Sequence, residues 1–151
     1  MATLVSWFFA LLRTLAGQLR NRFLGGLVAH LDGCRQAGER SRPALFLEGL
    51  WVENTTGENT HLRGFRVELS LPVSAATEIV EVRTYQRPVV VHLPINVPAW
   101  GSSDRFDAIA CFQAVCPVGA GRFQGRVAAL GRGGFRLRWT PLSGTYEWRN
   151  E

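Results

Sequence analysis

Apolar and polar residues follow two different rhythms along this chain. From residue 2 to residue 31 apolar side chains recur at three-and-four spacing: Val5, Phe8, Leu12, Leu15, Leu19, Phe23 and Leu27. Ser6, Arg13, Arg20 and Asn21 fall near the opposite face. That spacing predicts an amphipathic helix filling the first unit, 1–31. Trp7, Phe8 and Phe9 stand together near its start, Gly25-Gly26 weakens its last turns, and Asp32-Gly33 is the expected stop. Residues 32–43 are polar, carry glycine and end in proline, so they read as a linker.

From residue 44 the rhythm changes to two. Strands are predicted near 44–52, 62–71, 77–85, 88–94, 105–115, 121–130, 134–140 and 144–149. Phe65, Val67, Leu69 and Leu71 oppose Arg66, Glu68 and Ser70; Val80 and Val82 oppose Glu81 and Arg83. Phe123, Val127 and Ala129 oppose Arg122, Gln124 and Arg126; Phe135, Leu137 and Trp139 oppose Arg136 and Arg138; Tyr146 and Trp148 oppose Thr145, Glu147 and Arg149. A sheet with one buried face requires this alternation. Gly131 to Gly134 and Pro141 to Gly144 read as turns, Asn54 to Asn59 as a hairpin-type loop, and Pro94 to Ser103 as a longer crossing. No helical pattern separates the strands, which argues against a parallel α/β sheet.

The expected fold is therefore mainly β, in the α+β class. It is an antiparallel β-sandwich or small β-barrel of about seven or eight strands, over 44–151, preceded by one amphipathic helix. A length of 151 residues suits one such domain, and 46% hydrophobic against 19% charged residues excludes a wholly disordered chain. The apolar start of the helix is too short to cross a bilayer before Arg13, and neither a preceding basic residue nor a small-x-small cleavage site marks a signal peptide. An in-plane helix at a membrane surface, a helix packed on a partner subunit and a helix capping its own core all fit the pattern.

Charge sharpens the picture. The net charge is +5, and all 17 basic residues are arginine. Guanidinium grips carboxylate or phosphate with two parallel bonds. If the last three predicted strands form a meander, Arg122, Arg126, Arg136, Arg138 and Arg149 share its outward face, with Glu147 as local compensation. Such a face suits an acidic protein, an anionic membrane surface or phosphate. Nucleic acid is weakly supported, because the aromatics that would stack on bases are predicted to face the core.

Catalytic chemistry is thin. His30, His61 and His92 sit in separate segments, and Asp104 and Asp107 flank Arg105 without facing each other. Nucleophile-elbow, Walker and dinucleotide glycine patterns are missing. No catalytic residue, metal site or cofactor is expected. Cys34, Cys111 and Cys116 make an odd number, which predicts no disulfide framework and points to a reducing compartment or an assembled particle. Asn54-Thr55-Thr56 matches a glycosylation acceptor pattern, discounted without a secretory signal.

Gly49-Leu50-Trp51 on the first predicted strand, with Arg149 on the last, resembles the calycin barrels (lipocalins and fatty-acid-binding proteins). The resemblance covers three or four residues. It implies a barrel closed at one end by Gly49, Trp51 and Arg149, with Phe65, Val67 and Phe135 lining the interior. An ordinary sandwich core would use the tryptophan equally well.

The expected function is a non-enzymatic assembly or binding subunit, of the kind found in virions, tails or secretion apparatus. Its helix would dock on partner subunits, on copies of itself or on a membrane through Val5, Trp7, Phe8, Leu12, Leu15, Leu19 and Phe23. Its arginine face would meet an acidic partner. The alternatives are a membrane-peripheral barrel that binds a small ligand, similar in layout to barrel-type effectors of bacterial immunity, and an enzyme whose site is assembled from scattered residues around His61, His92 and Asp104.

Overall fold

The computed structural model describes residues 2–23, 26–131 and 137–149, and no side chains are described at residue 2 or within 16–23. Helix α1 (Ala2–Phe23) is followed by strands β1 (Leu27–His30), β2 (Gly33–Glu39) and β3 (Arg42–Asn54). Next come β4 (Thr60–Leu62), β5 (Gly64–Leu71), β6 (Ala75–Ile79), β7 (Glu81–Thr84), β8 (Val90–His92) and β9 (Ile95–Val97). The chain closes with β10 (Phe106–Cys111), β11 (Gly119–Leu130) and β12 (Thr140–Trp148). The protein is mostly β, with one N-terminal helix and several antiparallel sheets, as the change of rhythm predicts.

The first sheet runs β1-β3-β10-β7-β8, and β2 joins it by pairing with β3. The long strand β3 is its spine, holding β2 against its first half and β1 against its second. The second sheet runs β12-β11-β5-β6, and β4 pairs with β9 as a separate ladder. One extended run serves both large sheets. Its first part, β6, pairs with β5; after the exposed Val80 its second part, β7, pairs with β10. Inward residues of both sheets meet in one core that includes Leu47 and Leu50 of β3, Phe65 and Val67 of β5, Ala110 of β10, and Phe123 and Val127 of β11.

Three expectations change. The helix ends at Phe23, not 31, because Leu27 and Ala29 are buried with period two and Gly26 takes a φ of +140°. The segment 32–43 is no linker. Most of it is the polar edge strand β2, paired with β3 from Gly33↔Glu48 to Glu39↔Arg42. Its tight turn needs Gly38 at φ +72°, where a Cβ would stand 2.5 Å from the Arg42 carbonyl oxygen. Finally, Pro141 to Gly144 is not a turn but lies within β12. Pro141 is tolerated there because β12 is an edge strand, and Gly144 because the Phe123 ring occupies the space its Cβ would fill.

Smaller differences follow from pairing. Asn54–Asn59 joins β3 to β4, yet β4 pairs with β9 inside the predicted crossing loop. Of the strand predicted at 134–140, residues 137–139 lie outside the ladders and Thr140 opens β12, while 132–136 lie outside the described residues. No closed barrel forms among the described residues. Where closure would need a ladder between β12 and the β1–β2 edge, two side chains bridge instead. Thr140 Oγ1 donates to the Ala29 carbonyl at 2.7 Å, and the Gln36 amide engages Glu147.

Candidate functional site

Helix α1 is exposed at every residue from Thr3 to Leu15, a length of three to four turns. At 100° per residue, Leu4, Val5, Phe8, Leu11, Leu12 and Leu15 fall within a sector of about 120°, with Trp7 and Phe9 widening it to roughly 200°. All eight side chains are exposed. Ser6 and Arg13 take the remaining arc. Of the predicted docking residues, Val5, Trp7, Phe8, Leu12 and Leu15 are thus shown open to solvent, whereas the side chains of Leu19 and Phe23 are outside those described. No carboxylate precedes Asp32 in the chain. No described helix is long and apolar enough to cross a membrane.

The predicted arginine face is organised differently from its expectation. Arg122 and Arg126 do project from the outer face of β11, and Arg138 and Arg149 are exposed; Arg136 lies outside the described residues. Register brings acids from β5 and β6 onto the same face. Arg126 sits opposite Glu68 and grips its Oε2 with Nε at 3.0 Å and Nη2 at 2.8 Å. Glu68 Oε1 also accepts from Arg66 Nε at 3.2 Å, and Arg66 reaches Glu78 at 3.7 Å. Hydrogen bonding from Arg126 first, and then from Arg66, holds the Glu68 carboxyl below the usual carboxylate range. The Arg126 guanidinium lies 3.9 Å from the Trp139 ring centroid. Arg149 pairs with Glu147 at 3.3 Å, and Arg138 donates to Thr55 Oγ1 at 3.4 Å. Glu147 is therefore not the sole compensation. Arg122, like Arg138, forms no ion pair among the described residues.

Gly49, Trp51 and Arg149 are not assembled into a barrel closure. Trp51 stacks on His30, its cross-strand partner, with centroids 4.2 Å apart, and His30 Nε2 lies 3.1 Å from Glu53 Oε2. Gly49 has a φ of +63°, and the Asp32 carboxylate fills the place of a Cβ. That carboxylate pairs with Arg105 at 2.6 Å. His61 and His92 remain separate and exposed, and no group of three or more metal-ligating side chains forms among the described residues.

A feature the sequence pattern did not single out is the clasp around Asn54. Its side chain, 1% exposed, uses all four hydrogen-bonding positions. Nδ2 donates to the carbonyls of Glu58 at 2.8 Å and Val97 at 3.1 Å. Oδ1 accepts from Thr56 N at 2.9 Å and Thr56 Oγ1 at 2.7 Å. So buried, Asn54 is no glycosylation acceptor in the folded protein. The same loop pins the start of β1: Thr55 N–H donates to the Gly26 carbonyl at 3.0 Å, Thr55 Oγ1 donates to it at 2.8 Å, and Gly26 N–H donates to Thr55 Oγ1 at 3.1 Å. Above the loop stands Trp100, 70% exposed.

At the far end of β3 a narrow apolar crevice of about 10 Å³, room for about one water, lies between Pro43, Pro72, Phe112, Cys116, Tyr146 and Trp148. Trp148 is buried, and its Nε1–H has no partner among the described residues. Burial pushes the Cys34 thiol up to about 11 and raises Cys116 as well, while Cys111 is exposed.

No family model matches the chain, and no curated protein matches it. Among solved structures, a protein from Archaeoglobus fulgidus aligns with a TM-score of 0.44 at 7% identity, over 83% of this chain and 98% of its own.

Proposed function

We propose that this chain is a non-enzymatic binding subunit held on an anionic membrane surface by α1, with the β domain presented to the aqueous side. The observation that carries this reading is the roughly 200° apolar sector of α1, exposed over residues 3–15 and free of carboxylates. A helix–helix seam buries a narrower stripe. A wide sector bearing three consecutive aromatics suits the acyl boundary, with Arg13 at phosphate level. Each large apolar side chain withdrawn from water contributes about 1.5–3 kcal/mol, against about 1 kcal/mol per arginine near anionic headgroups. Apolar burial therefore supplies the affinity and charge selects the surface. The reading takes the two large sheets as an antiparallel sandwich joined at Val80, and it gives Arg122 to contacts with an acidic partner.

Co-sedimentation tests this. The full chain should pellet with phosphatidylcholine–phosphatidylglycerol vesicles, less with pure phosphatidylcholine, and a Trp7→Ser/Phe8→Ser/Leu12→Ser variant should stay in solution with its β domain folded. A full chain that stays in the supernatant as a discrete oligomer would replace the membrane with a second copy.

A further inference from the structure

The attachment of α1 dictates which end of the β domain meets the lipid, given the membrane reading of α1 on which this second contact rests. The helix ends at Phe23, and Gly26 is already fixed by the three hydrogen bonds to Thr55. Three Cα–Cα steps of about 3.8 Å span at most about 11 Å. Gly26 is thus tethered within about that distance of the helix end, with Thr55 bonded to it, and Arg20 and Arg22 fall in the last helical turn.

The neighbours form a built surface. Asn54 N–H donates to the Gly101 carbonyl at 2.8 Å, and Trp100 N–H donates to the Thr56 carbonyl at 3.0 Å. Trp100 is held at φ +55°, a left-handed conformation that a bulky residue rarely adopts, with its indole presented to solvent over Gly57. An exposed tryptophan in a strained backbone is unfavourable in water and suited to the headgroup region, where the ring meets acyl chains and the N–H meets polar groups. Arg138 reaches Thr55 at this end, and Arg63 is anchored there by its Nε–H to the Gly131 carbonyl at 3.0 Å. Both guanidinia are exposed and neither forms an ion pair among the described residues; Glu58 is the carboxylate of the same loop.

We infer that this end of the β domain is a second lipid contact, in which Trp100 enters the headgroup layer and Arg138 and Arg63 engage lipid phosphates. The opposite end, with exposed Val115 and Val118, points away from the bilayer. The thirteen-residue strand β3 separates the two ends by roughly 40 Å.

Site-directed spin labelling separates this inference from the reading beneath it. In a Cys111→Ser background, labels at Trp100→Cys and Val118→Cys are compared on phosphatidylcholine–phosphatidylglycerol vesicles. The label at 100 should lose most of its accessibility to an aqueous nickel chelate, and the label at 118 should keep it. A chain that pellets with vesicles while the label at 100 stays as accessible as in solution overturns the inference and leaves the helix reading standing. A chain that does not pellet overturns both. Trp100→Gly, which relieves the positive φ, should weaken vesicle partition about three- to tenfold without lowering the unfolding temperature. Unchanged partition would equally overturn the second contact.

Discussion

The side chain of Gln36 hydrogen-bonds both backbone groups of Glu147. Gln36 Nε2 donates to the Glu147 carbonyl at 3.1 Å, and Gln36 Oε1 accepts from the Glu147 N–H at 2.6 Å. One side-chain amide thus does for the edge of β12 what a neighbouring strand would do. It also spares the exposed edge a free donor and acceptor. Gln36→Ala should lower stability by about 0.5–1.5 kcal/mol in urea unfolding. It should also speed amide exchange at Glu147 while leaving the centre of β11 protected. Equal exchange at Glu147 in both proteins would show that the bridge is not formed in solution.

Asn54 is a stricter case because it is buried. Asn54→Asp keeps the shape but replaces two donors by acceptors that face the Glu58 and Val97 carbonyls. A loss of about 1–3 kcal/mol or more is expected from thermal or urea unfolding at neutral pH. A near-neutral substitution would mean that water, not the clasp, satisfies those carbonyls.

Glu68 couples the outer face to pH. Its folded carboxyl titrates below its unfolded value, so its contribution is fully present above the ordinary glutamate range. The contribution is lost as pH falls through the lowered folded value. The urea midpoint of the native protein should therefore drop more steeply in acid than that of Glu68→Gln. Parallel profiles would show that Arg126 and Arg66 do not hold the carboxylate in solution.

Thiol labelling should be ordered by burial. Cys111 should react with an aromatic disulfide reagent in the native protein. Cys34, with its thiol pushed up to about 11, and the buried Cys116 should react only on unfolding. Three fast thiols in native buffer would contradict the packing around β2 and the crevice.

Much of the fold was legible in the chain. Strands β5 and β11 bury the faces their alternation predicts, at Phe65, Val67 and Leu69 and at Phe123, Val127 and Ala129. What escaped was set by partners distant in sequence. β2 alternates weakly because it is an edge strand, half exposed along its length, so its composition imitates a linker. Gly144 imitates a turn residue, yet it is small because Phe123 stands over it. The arginines of β11 read as uncompensated because Glu68 comes within reach only once β5 is in register. The apolar sector of α1 was readable from its spacing. The Trp100 surface was not, since its meaning depends on Thr55 pinning Gly26.

The passage of one extended run through Val80 gives the domain a lopsided mechanics. Along that side the two large sheets share a continuous covalent backbone, like the hinge of a book. Along the other side Gln36 and Thr140 act as a latch of three hydrogen bonds. Opening would begin at the latch and pivot about the hinge, so thermal breathing should first wet the flank of the core beneath β12, long before it reaches the leaves bound at β6 and β7.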